Sequence, residues 1–368
     1  MSLHFHPLRV RAVRPETDEA VVLSLAVPPE LASTFAFQPG QYLTLRATVG
    51  GQDLRRAYSI CSGLGEEAGV LRVGVRRVPG GVFSTWVNTV LKPGDVLQAF
   101  PPQGHFGLPL ASPAPQIQAP QHVLGVAGGS GITPILSIMK TMLAAEPHSR
   151  FTLLYGNRSQ KSTMFKEELE DLKNRYLTRV ALHPVFSQEH MDSPLNSGRL
   201  NQAKLAEFLG PLIDPAGISH AFICGPFGLN DEAEAALKAA GVPPERIHVE
   251  RFGVPGAPSA ADAARQHAAQ PGDADDARVV LIRDGVQREI RFGPQDASIL
   301  DAAANAGMEL PFSCKSGVCS TCRAKVLEGQ VRMDRNFALE PHEVAAGFVL
   351  TCQAHALTQR VLLSFDER

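Results

Sequence analysis

FSCKSGVCSTCRAKV, residues 312–326, places Cys314, Cys319 and Cys322 within nine positions, and a fourth cysteine, Cys352 in LTCQA, follows much later. A C-x4-C-x2-C run with a distant fourth thiol is a spacing that holds two irons bridged by sulfide. Zinc sites usually pair two C-x2–4-C units, and no second cysteine accompanies Cys352. A disulfide knot is disfavoured because the chain has only six cysteines in 368 residues. Ser313, Ser316, Gly317, Ser320 and Thr321 are small enough to let backbone N–H groups approach the sulfides. Lys315 and Arg323 either offset the negative charge of such a centre or are ordinary solvated cations.

Upstream of this stretch, VVLIR and VQREIRF flank Asp284-Gly285, a hairpin signal. SILDAAANAG then reads as a helix ended by Gly307. Residues 278–368 therefore form one unit. Before it, residues 254–277 are poor in large apolar side chains and read as a linker, with a short helix possible around ADAARQHAA. Over 118–253, strand-length apolar runs (HVLGVA, FTLLYG, RVALHPVF, HAFICG, RIHVERF) alternate with helical patterns (PILSIMKTMLAAE, STMFKEELEDLKNRY, LNQAKLAEFL, NDEAEAALKAAG). That alternation predicts an α/β domain with a parallel sheet covered by helices. Residues 1–112 carry AVVLSLAV, QYLTLRATV and LRVGVRRV, a Gly50-Gly51 hairpin turn and one helical run, STWVNTVL. They predict an antiparallel β-barrel.

The net charge of −2 gives no electrostatic case for a nucleic-acid partner. The N-terminus lacks an apolar signal core, and the best apolar run, VVLSLAV at 21–27, is strand-sized, so no membrane association is expected. Sparse cysteines fit a reducing cytoplasm.

Arg56, Tyr58 and Ser59 in RAYSI end a barrel strand. In PGGVFSTW, Gly80 and Gly81 let backbone approach a ligand, and Ser84 is positioned to cap the following helix. A helix start with free N–H groups suits a pyrophosphate. Arginine, aromatic ring and glycine turn together outline a flavin nucleotide site. GVAGGSGITPILSIM opens the α/β domain: Gly128, Gly129 and Gly131 form the turn, Thr133 can cap, and Pro134 falls at the first helical position. As the first strand–turn–helix of an alternating sheet, this is where a dinucleotide's phosphates belong. YGNRSQKS, residues 155–162, holds no acid for ribose hydroxyls but offers Arg158, Ser159 and Lys161, which favours NADPH over NADH. An ordinary basic loop is the plain alternative. Cys224 in ICGPFG ends a later strand and points toward the ligand crevice, although most free cysteines are small buried hydrophobes.

Taken together, these segments resemble the ferredoxin–NADP reductase superfamily with a plant-type ferredoxin at the C-terminus, over all of the chain except the linker. RAYSI resembles the family's R-x-Y-S flavin motif, in which arginine meets phosphate and Tyr-Ser contacts the isoalloxazine. GGVFS resembles its pyrophosphate segment. GGSGITP and CGP resemble its nicotinamide-nucleotide motifs. The resemblance implies a β-grasp fold for the last unit. It assigns Ala57, Val73, Val75, Val82 and Phe83 to the flavin site, and Gly225 and Pro226 to the nucleotide. By the same similarity Cys224 lies near the hydride-donating carbon, with Ser59 and Glu250 around it as the catalytic set, while Phe252 covers the flavin ring. Domain order and the segment YGNRSQKSTMFKEELEDLKNRY resemble most the reductase subunits of phenylacetyl-CoA epoxidases. The flavin motif serves FMN in some relatives, and this subgroup implies FAD.

The implied activity is NADPH-dependent electron transfer through FAD and the [2Fe–2S] cluster to a partner oxygenase component, because hydride brings two electrons and the cluster accepts one. The other readings are an NADH-linked reductase of a different mono- or dioxygenase, and a redox-sensing regulator.

Overall fold

In the computed structural model, residues 4–108, 119–253 and 270–367 are described. Most of the expected linker, including the ADAARQHAA helix, lies outside the described residues, as does the boundary between the first two domains. The chain divides into two compact units, Phe5–Phe252 and one containing Gly253–Arg368.

The first unit begins with β1 (His6–Thr17), β2 (Ala20–Ala26), β3 (Tyr42–Val49), β4 (Gln52–Ser59), β5 (Val70–Arg76) and β6 (Val96–Ala99). They pair antiparallel in the order β4-β3-β6-β1-β2-β5. Just past β4 the two edges meet: Ile60 bridges Val73, and the Cys61 amide donates to the Arg72 carbonyl at 2.9 Å. The sheet thus curls into a barrel. Period-two alternation sends Leu8, Leu23, Leu43, Leu45, Val73 and Leu97 inward. Gly50 (φ +57°) and Gly51 (φ +79°) make the two-residue turn between β3 and β4, a conformation that glycine adopts without strain. Helix α1 (Val82–Thr89) buries Phe83 and Val87 in the barrel core.

The same unit continues with β7 (His122–Gly128), β8 (Arg150–Asn157), β9 (Val180–Phe186), β10 (His220–Gly225) and β11 (Ile247–Arg251). All neighbours are parallel, in the order β11-β10-β7-β8-β9. Strand order reverses between β7 and β10, which opens a crevice at their carboxyl ends. Every residue of β7 is buried because helices cover both faces. Helices α2 (Ile132–Ala145) and α3 (Lys166–Arg175) fill one side; α4 (Gln202–Phe208) and α5 (Phe227–Ala239) fill the other. Helix α2 starts at Ile132, so Pro134 is its third residue and not its first. Proline is tolerated there because the first four helical N–H groups have no partner within the helix.

Barrel and sheet form one unit because their contact is dense. A Cβ on Gly74 of β5 would lie 2.8 Å from Thr133 Cγ2. Arg72 grips Glu168 through two 3.0 Å bonds, and Lys140 reaches Glu66 at 3.0 Å and the Cys61 carbonyl at 3.1 Å. These part-buried charges are each paired, the condition for tolerating them away from water.

The second unit contains β12 (Ala277–Arg283), β13 (Val286–Phe292), β14 (Arg323–Glu328), β15 (Val331–Met333), β16 (Phe348–Leu350), β17 (Ala354–Ala356) and β18 (Arg360–Ser364). The main sheet runs β13-β12-β18-β14-β16, with β12 and β18 parallel, and β15 pairs with β17. Helix α6 (Ile299–Asn305) covers it, and α7 (Pro341–Ala345) follows the cysteine loop. Ser298 caps α6 by accepting from the Asp301 amide, and Gly307 (φ +76°) lies just past its end. This is a β-grasp arrangement. The cysteine loop leaves α6 and feeds β14.

Candidate functional site: a thiol centre and a dinucleotide crevice

The four C-terminal cysteines come together. Cys319, Cys322 and Cys352 are buried and Cys314 is partly open. The Cys319 thiol donates to Cys314 Sγ at 3.1 Å. Thr351 donates to the Cys322 carbonyl through both its amide (3.1 Å) and its hydroxyl (2.9 Å), which seats the adjacent Cys352 against Cys322. The Ser316 amide donates to Cys314 Sγ at 3.4 Å, and Gln353 Nε2 donates to Cys352 Sγ at 3.6 Å. The Cys319 hydrogen bond, then the amides of Ser316 and Val318, hold the Cys314 thiol down to about 5. Thiolate is the iron-binding form. Ser313 Oγ is buried beside Cys314 without a partner. Donor set and amide placement fit a [2Fe–2S] cluster. Lys315 and Arg323 are both ion-paired. Lys315 donates to Asp301 at 2.7 Å, and Arg323 pairs with Glu343 at 3.1 Å while lying over the Phe348 ring. Both charges are already compensated by carboxylates far along the chain.

In the barrel, β4 ends with exposed Arg56, half-buried Ala57 and Tyr58, and buried Ser59. Tyr58 lies 6.0 Å from Phe83, ring to ring, and Phe83 meets Trp86. Val73, Val75 and Phe83 belong to the barrel core, so their side chains face inward. Gly81 is the N-cap of α1, with Val82 its first residue. Ser84 is not the cap: its hydroxyl accepts from the Val78 amide at 3.1 Å and donates to the Gly81 carbonyl. It tightens the turn that Gly80 (φ +73°) makes possible. The first-turn N–H groups of α1 receive no side-chain cap, which suits an anionic ligand. Phe252, 44% exposed, follows β11.

A cavity of about 450 Å³ opens at the carboxyl ends of the parallel strands, lined by Gly128, Gly129, Asn157, Arg158, Arg199 and Pro226 among others. The Asn157 side chain hydrogen-bonds to Tyr155 at the wall of this cavity. A Cβ on Gly131 would sit 2.0 Å from the Cys224 carbonyl oxygen, and one on Gly128 would sit 2.7 Å from Pro226 Cδ. Gly225 approaches Gly128 in the same way. These glycines interlock the β7–α2 and β10–α5 turns. Thr133 is the second residue of α2, not its cap, and donates to the Ser130 carbonyl at 2.9 Å. Ser159 caps the short 3₁₀ turn after β8.

Sequence reasoning missed Glu19, Arg76 and Arg199. Glu19 bridges Arg76 at 3.2 Å and Arg158 at 2.5 Å. It comes from the β1–β2 turn, and no local motif links that turn to β8. Arg199 follows β9, where the rule that ligands meet strand carboxyl ends could have found it.

Ser59, Cys224 and Glu250 do meet. Cys224 and Glu250 are neighbours in register across β10 and β11, and Ser59 Oγ donates to Glu250 Oε2 at 3.4 Å. Asn230 Nδ2 holds the Glu250 carbonyl at 3.0 Å. Cys224 is fully buried and does not line the cavity. Burial, then the Glu250 carboxyl, pushes its thiol up. Burial also raises the Glu250 carboxyl from 4.5 to about 8, opposed by the Ser59 hydrogen bond. Between those values the folded chain keeps a proton that the unfolded chain has released, so stability falls as pH rises through the window. Thermal unfolding of cofactor-free protein is expected to show this slope between 4.5 and 8. Glu250→Gln should flatten it; an unchanged slope would assign the proton elsewhere.

Three family models match: an oxidoreductase FAD-binding domain over residues 8–107, an oxidoreductase NAD-binding domain over 126–235, and a 2Fe-2S iron-sulfur cluster binding domain over 281–357. The chain is 44% identical to one of the subunits of the 1,2-phenylacetyl-CoA epoxidase of Escherichia coli, covering 99% of this chain and 98% of that protein. It is 32% identical to the ferredoxin reductase component of 3-ketosteroid-9-alpha-monooxygenase of Rhodococcus rhodochrous, covering 97% and 96%. The solved structure of phthalate dioxygenase reductase superposes with a TM-score of 0.59 at 23% identity, covering 98% of each chain.

Proposed function

Because the chain belongs to the family of oxygenase reductases that join FAD-, NAD- and 2Fe-2S-binding domains, we propose that it takes its electrons from NADPH and delivers them to a phenylacetyl-CoA epoxidase. The convergence of four thiols in the same chain as a dinucleotide crevice carries this reading. A bound flavin accepts a hydride's two electrons and releases them singly, as a one-electron cluster requires. Full-length similarity to a component of such an epoxidase supports the partner, and only six cysteines in 368 residues suit a reducing cytoplasm. No helix among the described residues is long and apolar enough to cross a membrane.

The working module limits are 1–112, 118–253 and 278–368. Arg56 and the first turn of α1 hold the flavin's phosphates, Tyr58 and Ser59 its ring edge, and Phe252 its open face. Gly129 and the first turn of α2 take the nicotinamide nucleotide's phosphates. Ser59, Cys224 and Glu250 orient the reacting rings. Cys314, Cys319, Cys322 and Cys352 bind the irons. Arg158 meets the 2′-phosphate, for which a guanidinium is suited and a carboxylate is not. Arg158→Ala is expected to raise KM for NADPH about tenfold, the effect of losing one charge-assisted contact, while changing KM for NADH little. Equal effects would remove the phosphate role. The Glu19–Arg158 pair favours a second reading, an NADH-linked reductase of another oxygenase, since it supplies the carboxylate that β8 lacks. Reconstitution with a purified epoxidase oxygenase component separates the two: NADPH-driven turnover supports the first, and no turnover with an active oxygenase overturns it.

A further inference from the structure

We infer that Glu19, an acid of the flavin barrel, sets the coenzyme selectivity of the nucleotide crevice by competing with the 2′-phosphate for Arg158. The inference rests on the NADPH reading above and deepens it. Glu19 occupies the tight turn between β1 and β2, and its backbone is fixed on both sides. Its amide donates to Thr17 Oγ1 at 3.3 Å, and its carbonyl accepts from the Arg77 amide at 2.6 Å. The barrel therefore holds this carboxylate, from a pinned backbone, against two arginines that line the crevice.

The carboxylate lies between two guanidinium groups that line the cavity. Glu19 Oε2 accepts from Arg158 Nη2 at 2.5 Å and from Arg76 Nη2 at 3.2 Å. Arg76 in turn lies over the glycine turn of the sheet, its Nη1 filling the space a Gly129 side chain would take. Two arginines converging on a single anionic oxygen is an arrangement that also suits a phosphate monoester. Glu19 satisfies it from within the chain. A nucleotide with a 2′-phosphate must displace the carboxylate or share Arg158 with it, and a second anion at that place is repelled. A ribose bearing only hydroxyls meets neither cost, and the carboxylate can accept from its diol. Asp18, the adjacent acid, is exposed and has no such contact among the described residues.

The test compares Glu19→Gln, which keeps the size of the side chain, with Asp18→Asn, which removes an equal charge next to it. Dissociation constants for NADP+ and NAD+ are measured by titration of the flavin- and cluster-loaded protein at low and high salt. Glu19→Gln is expected to tighten NADP+ roughly two- to fivefold at low salt, the range of an exposed or part-exposed ion pair, and to leave NAD+ equal or weaker. The gain should shrink as salt rises. Asp18→Asn should leave the NADP+ to NAD+ ratio unchanged. Equal shifts for both nucleotides, weaker NADP+ binding in Glu19→Gln, or the same gain in Asp18→Asn would each overturn the inference. Arg158→Ala distinguishes the two levels. If it leaves the ratio unchanged, the NADPH reading fails and takes this inference with it. If it changes the ratio but Glu19→Gln does not, only the role of Glu19 fails.

Discussion

Cys319→Ser is expected to abolish NADPH-driven reduction of cytochrome c while leaving reduction of a flavin-accepting dye intact. Cys319 is buried with its sulfur 3.1 Å from Cys314, and the two cysteines outside the group, Cys61 and Cys224, belong to the other compact unit. A serine hydroxyl is a hard, weakly acidic donor and a poor replacement for thiolate on iron. One-electron acceptors draw on the cluster, so their reduction should fall by at least about a hundredfold, the scale at which disturbed metal sites lose affinity or activity. Dye reduction needs only the flavin and the crevice, which belong to the other compact unit and its separate cores. Iron content and visible absorbance report loss of the cluster, and circular dichroism reports whether the β-grasp sheet persists. Full cytochrome c reduction with lost dye reduction would reverse the order of electron carriers.

Gly131→Ala should be the most damaging single methyl group in the nucleotide half. Its Cβ would stand 2.0 Å from the Cys224 carbonyl oxygen, 2.4 Å from its carbon and 2.8 Å from the Gly225 nitrogen. All three are backbone atoms of a buried central strand, so no rotamer change relieves the clash. The β7–α2 turn must move away from the β10–α5 turn, opening the point where the sheet reverses direction. Overpacking of this kind costs on the order of 3 kcal/mol. A fall in thermal midpoint should accompany loss of NADP+ binding. Gly228→Ala is the control for stability alone, because its Cβ would meet nothing within 4 Å although the residue lines the cavity, and alanine is the better helix former. Equal stability of the two variants would show that the interlock is not tight.

The cysteine spacing, the two glycine-containing hairpins and the β/α alternation were legible because each depends on residues near one another in sequence. Periodicity placed all five parallel strands. It placed helix starts less well. Helix α3 begins only at Lys166 because Phe165 adopts φ +58° with its side chain buried, a choice made by the core and not by local propensity. Ser84 and Thr133 have the composition of N-caps, yet each sits inside its helix and bonds backwards to a turn carbonyl. Cap chemistry is the same at both places, so sequence could not choose between them.

The family resemblance brought Ser59, Cys224 and Glu250 together in advance, and the fold places them side by side. Local sequence singled out the four thiols that the fold brings together and the order of the three modules, because spacing and hydrophobic period act within short windows. Tertiary structure alone decided which charges are free. Lys315 and Arg323 are spent on Asp301 and Glu343, and Arg158 is met by Glu19 from another sheet. Coulomb forces act between groups that chain folding brings close, and their separation along the sequence carries no record of it.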